Sequence, residues 1–143
     1  MTYDNNHLTG NDLKFRELVE KYFTIYSPNT NLNYIVTSFS KRMADTNNIA
    51  LELATYNQKH RYYMKGKLFT KYNVTWVIGN FNRFYIVRDS VLRDIYNDRK
   101  RINSSVGKSV VNYYEKNNMY KIALIDCNYL EQIPQVKKVE ITK

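Results

Sequence analysis

The stretch NVTWVIGNFNRFYIV, residues 73–87, decides the fold. Val74, Trp76 and Ile78 alternate along its first half, and residues 84–87 are aromatic or β-branched, both of which mark strands. Between them Gly79-Asn80-Phe81-Asn82-Arg83 carries turn chemistry, so the stretch is expected to form a hairpin.

On the N-terminal side, residues 34–39 and 49–56 are rich in β-branched, aromatic and aliphatic side chains, with Asp45-Thr46-Asn47-Asn48 between them. Two strands joined as a second hairpin is the economical expectation. Residues 58–71 are basic and aromatic around Gly66, and periodicity leaves strand, loop and short helix open there. Farther out, Leu13, Phe15, Leu18, Val19, Tyr22 and Phe23 recur three and four apart. They predict a helix over 12–24, capped by Asn11 or Asp12 after a loose polar leader, 1–11, and stopped by Ser27-Pro28-Asn29-Thr30-Asn31.

On the C-terminal side, Asp89 or Ser90 can cap a helix whose stripe is Val91, Leu92, Ile95 and Tyr96, with Arg99-Lys100-Arg101 at its end. Residues 104–108 read as a flexible link, 110–120 as a short helix or turn, and 120–125 as a strand. The tail after Pro134, with Val136, Val139 and Ile141 among lysines, reads as an edge strand or a mobile end. The order predicts one α/β (α+β) domain over residues 1–143, with a central mixed sheet flanked by helices, a core over about 12–126 and flexible ends at 1–11 and 134–143.

Composition narrows the function classes. The 143 residues carry 22 Lys and Arg against 13 Asp and Glu, a net +9 that favours anionic partners. Fourteen Tyr against four Gly argue for a folded chain. A single cysteine, Cys127, excludes an internal disulfide framework and, with two His, a clustered zinc site. No apolar signal region or run of eighteen apolar residues is present, so the expected setting is the cytoplasm, with no membrane partner. The abundance of Asn, Lys, Ile and Tyr, whose codons are AT-rich, suits a low-GC bacterium, its phages or its mobile elements.

Charge is not spread evenly. After Glu52 no acid occurs until Asp89, while Lys59, Arg61, Lys65, Lys67, Lys71, Arg83 and Arg88 fall within that gap or at its end, interleaved with Tyr56, Tyr62, Tyr63, Phe69, Tyr72 and Trp76. That mixture suits phosphate pairing and base stacking, with Lys59, Arg61, Lys71, Arg83 and Arg88 as the expected phosphate contacts. A solvated face around ordinary core aromatics is the structural alternative. Glu52 lies in an otherwise apolar strand and shares a face with Ala50 and Ala54, leaving room for a carboxylate and a cation. With Asp45 converging on it, two oxygen ligands would hold Mg²⁺. The alternative is a Glu on the solvent face of an edge strand, or one paired with Lys41 or Arg42.

Ala50-Leu51-Glu52-Leu53-Ala54-Thr55-Tyr56-Asn57, then Lys65-Gly66-Lys67-Leu68-Phe69, the strand at 73–78 and Phe84-Tyr85-Ile86-Val87 with Leu92 beyond, resemble the core of the PD-(D/E)XK nuclease superfamily over about residues 12–98. The resemblance implies a restriction-endonuclease-like fold, with Asp45 and Glu52 as Mg²⁺ ligands. Glu52 matches the Glu of Glu-x-Lys, but Ala54 stands where the Lys would be, and Ala44 precedes Asp45 where the family has Pro. Lys41, Lys65 or Lys67 would then supply the cation from another element, Lys67 and Lys65 being the catalytic candidates.

Other fragments carry less. Gly107-Lys108-Ser109 lacks the P-loop glycine, the position being Ile102. His60 sits among cations and reads as a phosphate or packing contact before a general base, and Cys127, in or beside an apolar strand, reads as core. The expected function is a nucleic-acid-binding protein, DNA before RNA, that cleaves phosphodiesters with Mg²⁺ if its site is active. The alternative is a non-enzymatic basic protein of anti-defence, replication-accessory or virion-assembly type that occupies nucleic acid or an acidic protein surface. A homodimer is compatible with either.

Overall fold

The hairpin at the centre of the sequence forms the centre of one sheet. The computed structural model describes residues 10–141, and within them β4 (Thr75–Gly79) and β5 (Arg83–Arg88) pair antiparallel, Trp76 opposite Val87 and Ile78 opposite Tyr85. The turn depends on Gly79, because a Cβ there would lie 2.4 Å from the Arg83 carbonyl oxygen and 2.5 Å from the Phe84 Cα. Asn80 completes it, its side-chain oxygen accepting from the backbone N–H groups of Asn82 and Arg83.

On one side β1 (Ile35–Phe39) runs parallel to β4, and on the other β8 (Lys137–Glu140) runs antiparallel to β5, giving the order β1-β4-β5-β8. The two faces bury different sets, as the period of two requires. Ile35, Val77, Phe84 and Val139 meet Phe15, Val19 and Phe23 of helix α1 (Gly10–Tyr26). Val36, Trp76, Ile78, Tyr85 and Val87 face the larger core.

That core is closed by a second, wholly antiparallel sheet of order β3-β2-β7-β6, formed by β2 (Asn48–Asn57), β3 (Tyr62–Lys65), β6 (Val111–Lys116) and β7 (Tyr120–Asp126). Its inner face contributes Ile49, Leu51, Leu53, Val111, Ala123 and Ile125. The short helix α2 (Met43–Thr46), α3 (Asp89–Asn97), α4 (Arg99–Val106) and α5 (Cys127–Leu130) add Met43, Leu92, Ile95, Ile102, Cys127 and Leu130 to the same core. Each large aliphatic or aromatic side chain so buried contributes roughly 1.5–3 kcal/mol of transfer free energy. The single mixed α/β domain expected from the sequence is therefore present, with its strands divided between one mixed and one antiparallel sheet. Among the described residues no helix is long and apolar enough to cross a membrane.

Several local expectations change. The strands at 34–39 and 49–56 do not pair as a hairpin. The chain between them turns through α2, buries Met43, and leaves through Asn47 in the left-handed region (φ 55°), which sends β2 into the other sheet. Helix α1 begins at Gly10, so Asn11 and Asp12 lie in its first turn, and residues 1–9 of the expected leader are outside the described residues. Arg99-Lys100-Arg101 open α4 instead of closing α3; Arg101 pairs with Asp98 at 3.1 Å and Arg99 lies over the Tyr96 ring. Residues 104–106 belong to α4, and the segment expected as a short helix or turn is β6 with its turn, where Asn117 and Asn118 both take φ 54°. Of the readings left open, 58–71 holds β3 and a 3-10 turn (Lys67–Phe69), and the tail supplies the edge strand β8; the core, expected to end near residue 126, therefore extends to Leu130 and Val139 because β8 pairs with β5.

Candidate functional site

Glu52 is presented by an irregularity. The β2–β7 register shifts between Glu52 and Ala54, so Leu53 is an extra residue and Ala54 turns to the buried side; Ala50 alone keeps the face of Glu52. Gly66 makes this possible from the neighbouring strand, since its N–H donates to the Leu53 carbonyl at 2.7 Å and a Cβ on it would lie 2.4 Å from the Glu52 carbonyl oxygen. The Glu52 carboxylate is exposed, accepts a hydrogen bond from Thr55 Oγ1, and lines a hollow of about 390 Å³ with Asp12, Ser38, Lys67 and Trp76. An adjoining hollow of about 430 Å³ shares Asp12 and Lys67 and adds Arg16 and Lys71. The Trp76 indole N–H is buried with no hydrogen-bond partner among the described residues.

The residues expected to form the site are partly brought together. Glu52 and Lys67 line one hollow, and Lys71 lies next to it. Asp45 does not join them: it sits exposed on α2, and Glu52 is four residues along β2 from Asn48, a run of roughly 13 Å at strand rise. Lys65 is exposed on β3, in register with Ala54, and is not a lining residue of either hollow. The carboxylate that does line the cleft with Glu52 is Asp12 of α1. Nothing in the local sequence marks it, because it is indistinguishable there from an ordinary acid at a helix start.

The expected phosphate contacts separate. Lys59 and Arg61 occupy the exposed β2–β3 turn, Lys71 the cleft, and Arg88 a shallow hollow with Tyr34 and Asn73 on the α1 side of its sheet. Arg83 is five residues from Arg88 on β5, hence on the opposite face, and is engaged in structure. It donates to Asn47 Oδ1, and its guanidinium lies 3.9 Å from Glu131. Glu131 also accepts from the Tyr85 hydroxyl at 2.6 Å and from Lys138 at 3.1 Å; the Tyr85 bond, then Lys138 and Arg83, hold its carboxyl below the usual range. Arg83 is thus a structural cation, which corrects its assignment to phosphate.

The loop that carries Lys67 and Lys71 is held by a buried ion pair. Asp89, 1% exposed, accepts from the backbone N–H groups of Asn73 and Val74 and pairs with Arg93 at 2.5 Å. Burial alone would raise the Asp89 carboxyl, but Arg93 and the two amides outweigh it and leave the group below its ordinary value. Arg93 in turn donates to the Leu68 carbonyl and lies 4.5 Å from the Tyr72 ring centroid.

Mg²⁺ was expected on Asp45 and Glu52, and their separation does not fit that pair. Asp12 and Glu52 do fit, as two oxygen donors lining one hollow, the number Mg²⁺ takes when it keeps most of its waters. Among the described residues no three His, Cys, Asp or Glu side chains converge. Compared with family models, curated proteins and solved structures, the chain matches none.

Proposed function

We propose that this chain binds nucleic acid, DNA in the first instance, and cleaves phosphodiesters with Mg²⁺ in the cleft between its two sheets, as a restriction-endonuclease-like protein of a phage or mobile element. The observation that carries the reading is that Glu52, Lys67 and Asp12 line one hollow, with Arg16 and Lys71 lining the hollow that adjoins it. In this reading Asp12 and Glu52 hold the ion, and Lys67 takes the lysine role that Ala54 leaves vacant. The ion, when bound, lowers the pKa of a water and neutralises charge on the phosphate. Arg16 and Lys71 hold the flanking phosphates, and Thr55 fixes the Glu52 carboxylate through its hydroxyl. Lys67 meets the charge that develops on the scissile phosphate.

The test is cleavage of labelled linear, branched and single-stranded DNA and RNA with Mg²⁺, Mn²⁺ or EDTA. Metal-dependent cleavage is expected, falling roughly a hundredfold or more in Glu52→Ala and Asp12→Ala. Wild-type rates in both variants overturn the catalytic reading. One observation favours a second reading, a non-enzymatic grip on nucleic acid or an acidic protein surface: among the described residues two carboxylates line the cleft, and Asp45 is elsewhere. Binding that weakens with salt, with no cleavage in any metal, would establish it.

A further inference from the structure

Glu52 does not stand alone on its face of the second sheet. The register places Ile122 opposite Glu52 and Tyr114 opposite Ile122, forming one row across β2, β7 and β6. The next row is Met64, Thr55, Tyr120 and Lys116 across all four strands, and Tyr62 follows on β3. These side chains point away from the shared core: Glu52 and Ile122 line the cleft with Asp12 and Trp76, Thr55 and Tyr120 are half-buried, and farther along the face Tyr62 is 52% exposed, Met64 47% and Tyr114 40%. An exposed face of this kind in a folded chain calls for an occupant.

Charge says which one. The β2–β3 and β6–β7 turns lie at the same end of the sheet, because Thr55 near the end of β2 pairs with Tyr120 at the start of β7. Lys59 and Arg61 in the first turn and Lys116 beside the second therefore flank the tyrosines. Glu115, the acid at this end, belongs to the opposite face and accepts from the Tyr113 hydroxyl. A second copy docked through a two-fold axis at this end would bring these cations against their own equivalents, which costs energy. Exposed rings ringed by cations suit an unpaired strand, whose bases stack on the rings and whose phosphates meet the cations.

We infer that the outer face of the β3-β2-β7-β6 sheet is a stacking platform for single-stranded nucleic acid, with Tyr114, Tyr120 and Tyr62 under the bases. The inference rests on the nucleic-acid reading above and supplies its substrate class. From β3 to β6 the platform spans roughly 14 Å at ordinary strand spacing, a width on which four-stranded RNA-binding sheets stack two or three bases. Because Tyr114 and Ile122 share the row of Glu52, a strand lying on the platform leads its backbone into the cleft.

The test is fluorescence anisotropy of the full chain with labelled oligothymidylate and, separately, a DNA duplex. Tyr114→Ala and Tyr62→Ala are each expected to weaken oligothymidylate binding roughly tenfold with no change for duplex. Tyr114→Phe, which keeps the ring and the strand propensity, is expected to bind as wild type does. If Lys59→Ala and Arg61→Ala weaken both probes while the Tyr→Ala variants change neither, the platform is overturned and nucleic-acid binding stands. If the wild type binds neither probe, both readings fall. A concentration-dependent dimer by light scattering that Tyr114→Ala abolishes also overturns the platform, in favour of a self-interface.

Discussion

Asp89 shows how one residue's environment sets its role. In the sequence it is a helix cap; in the structure its side chain is buried and serves two amides and Arg93. Because the folded carboxyl lies below its ordinary value, its contribution to stability is complete above about pH 4 and is lost as pH falls through the depressed value. Asp89→Asn is therefore expected to cost roughly 1–3 kcal/mol at neutral pH, by leaving the part-buried Arg93 without its carboxylate. Thermal unfolding from pH 7 down to pH 3 should show the difference from wild type shrinking with acid. A constant difference across that range would refute the electrostatic account.

At the scale of elements, the bulge in β2 and Gly66 act together. Gly66→Ala puts a Cβ against the Glu52 carbonyl, and backbone cannot swing aside as a side chain end can. The expected cost is about 1–3 kcal/mol, with loss of whatever Glu52 does, read by denaturant unfolding and the cleavage assay together. Strands were legible where alternation was strong, as in residues 73–87, and so was α1, from its period of 3.6. Partner choice was not: α2 separates β1 and β2 through a left-handed Asn47 that no periodicity marks. The β6–β7 hairpin was missed although consecutive Asn residues at positive φ are its turn signal, because the surrounding tyrosines and polar residues fit either period.

For the molecule as a whole, the candidate site is the part least written in local sequence. Glu52 and Lys67 could be singled out from a lone strand carboxylate and an acid-free segment, but Asp12 joins them only because α1 covers the β1 side of its sheet. The same sheet depends at its other margin on β8, whose Val139 is buried against the α1 layer and whose backbone pairs with β5. Truncation before Lys137 is expected to lower the unfolding temperature and to expose β5 as an unpaired edge, so that light scattering reports association.

Trp76 is the one tryptophan of the chain, and it stands between the cleft and the core with an indole N–H that finds no acceptor among the described residues. The protein therefore carries its own optical gauge of the cleft. Emission excited through the indole arises from a single environment, and an anion or water that reached that N–H would shift the spectrum to longer wavelength. Titrating oligonucleotide or divalent metal into the unlabelled protein would follow occupancy of the hollow directly, in the same cuvette that measures unfolding.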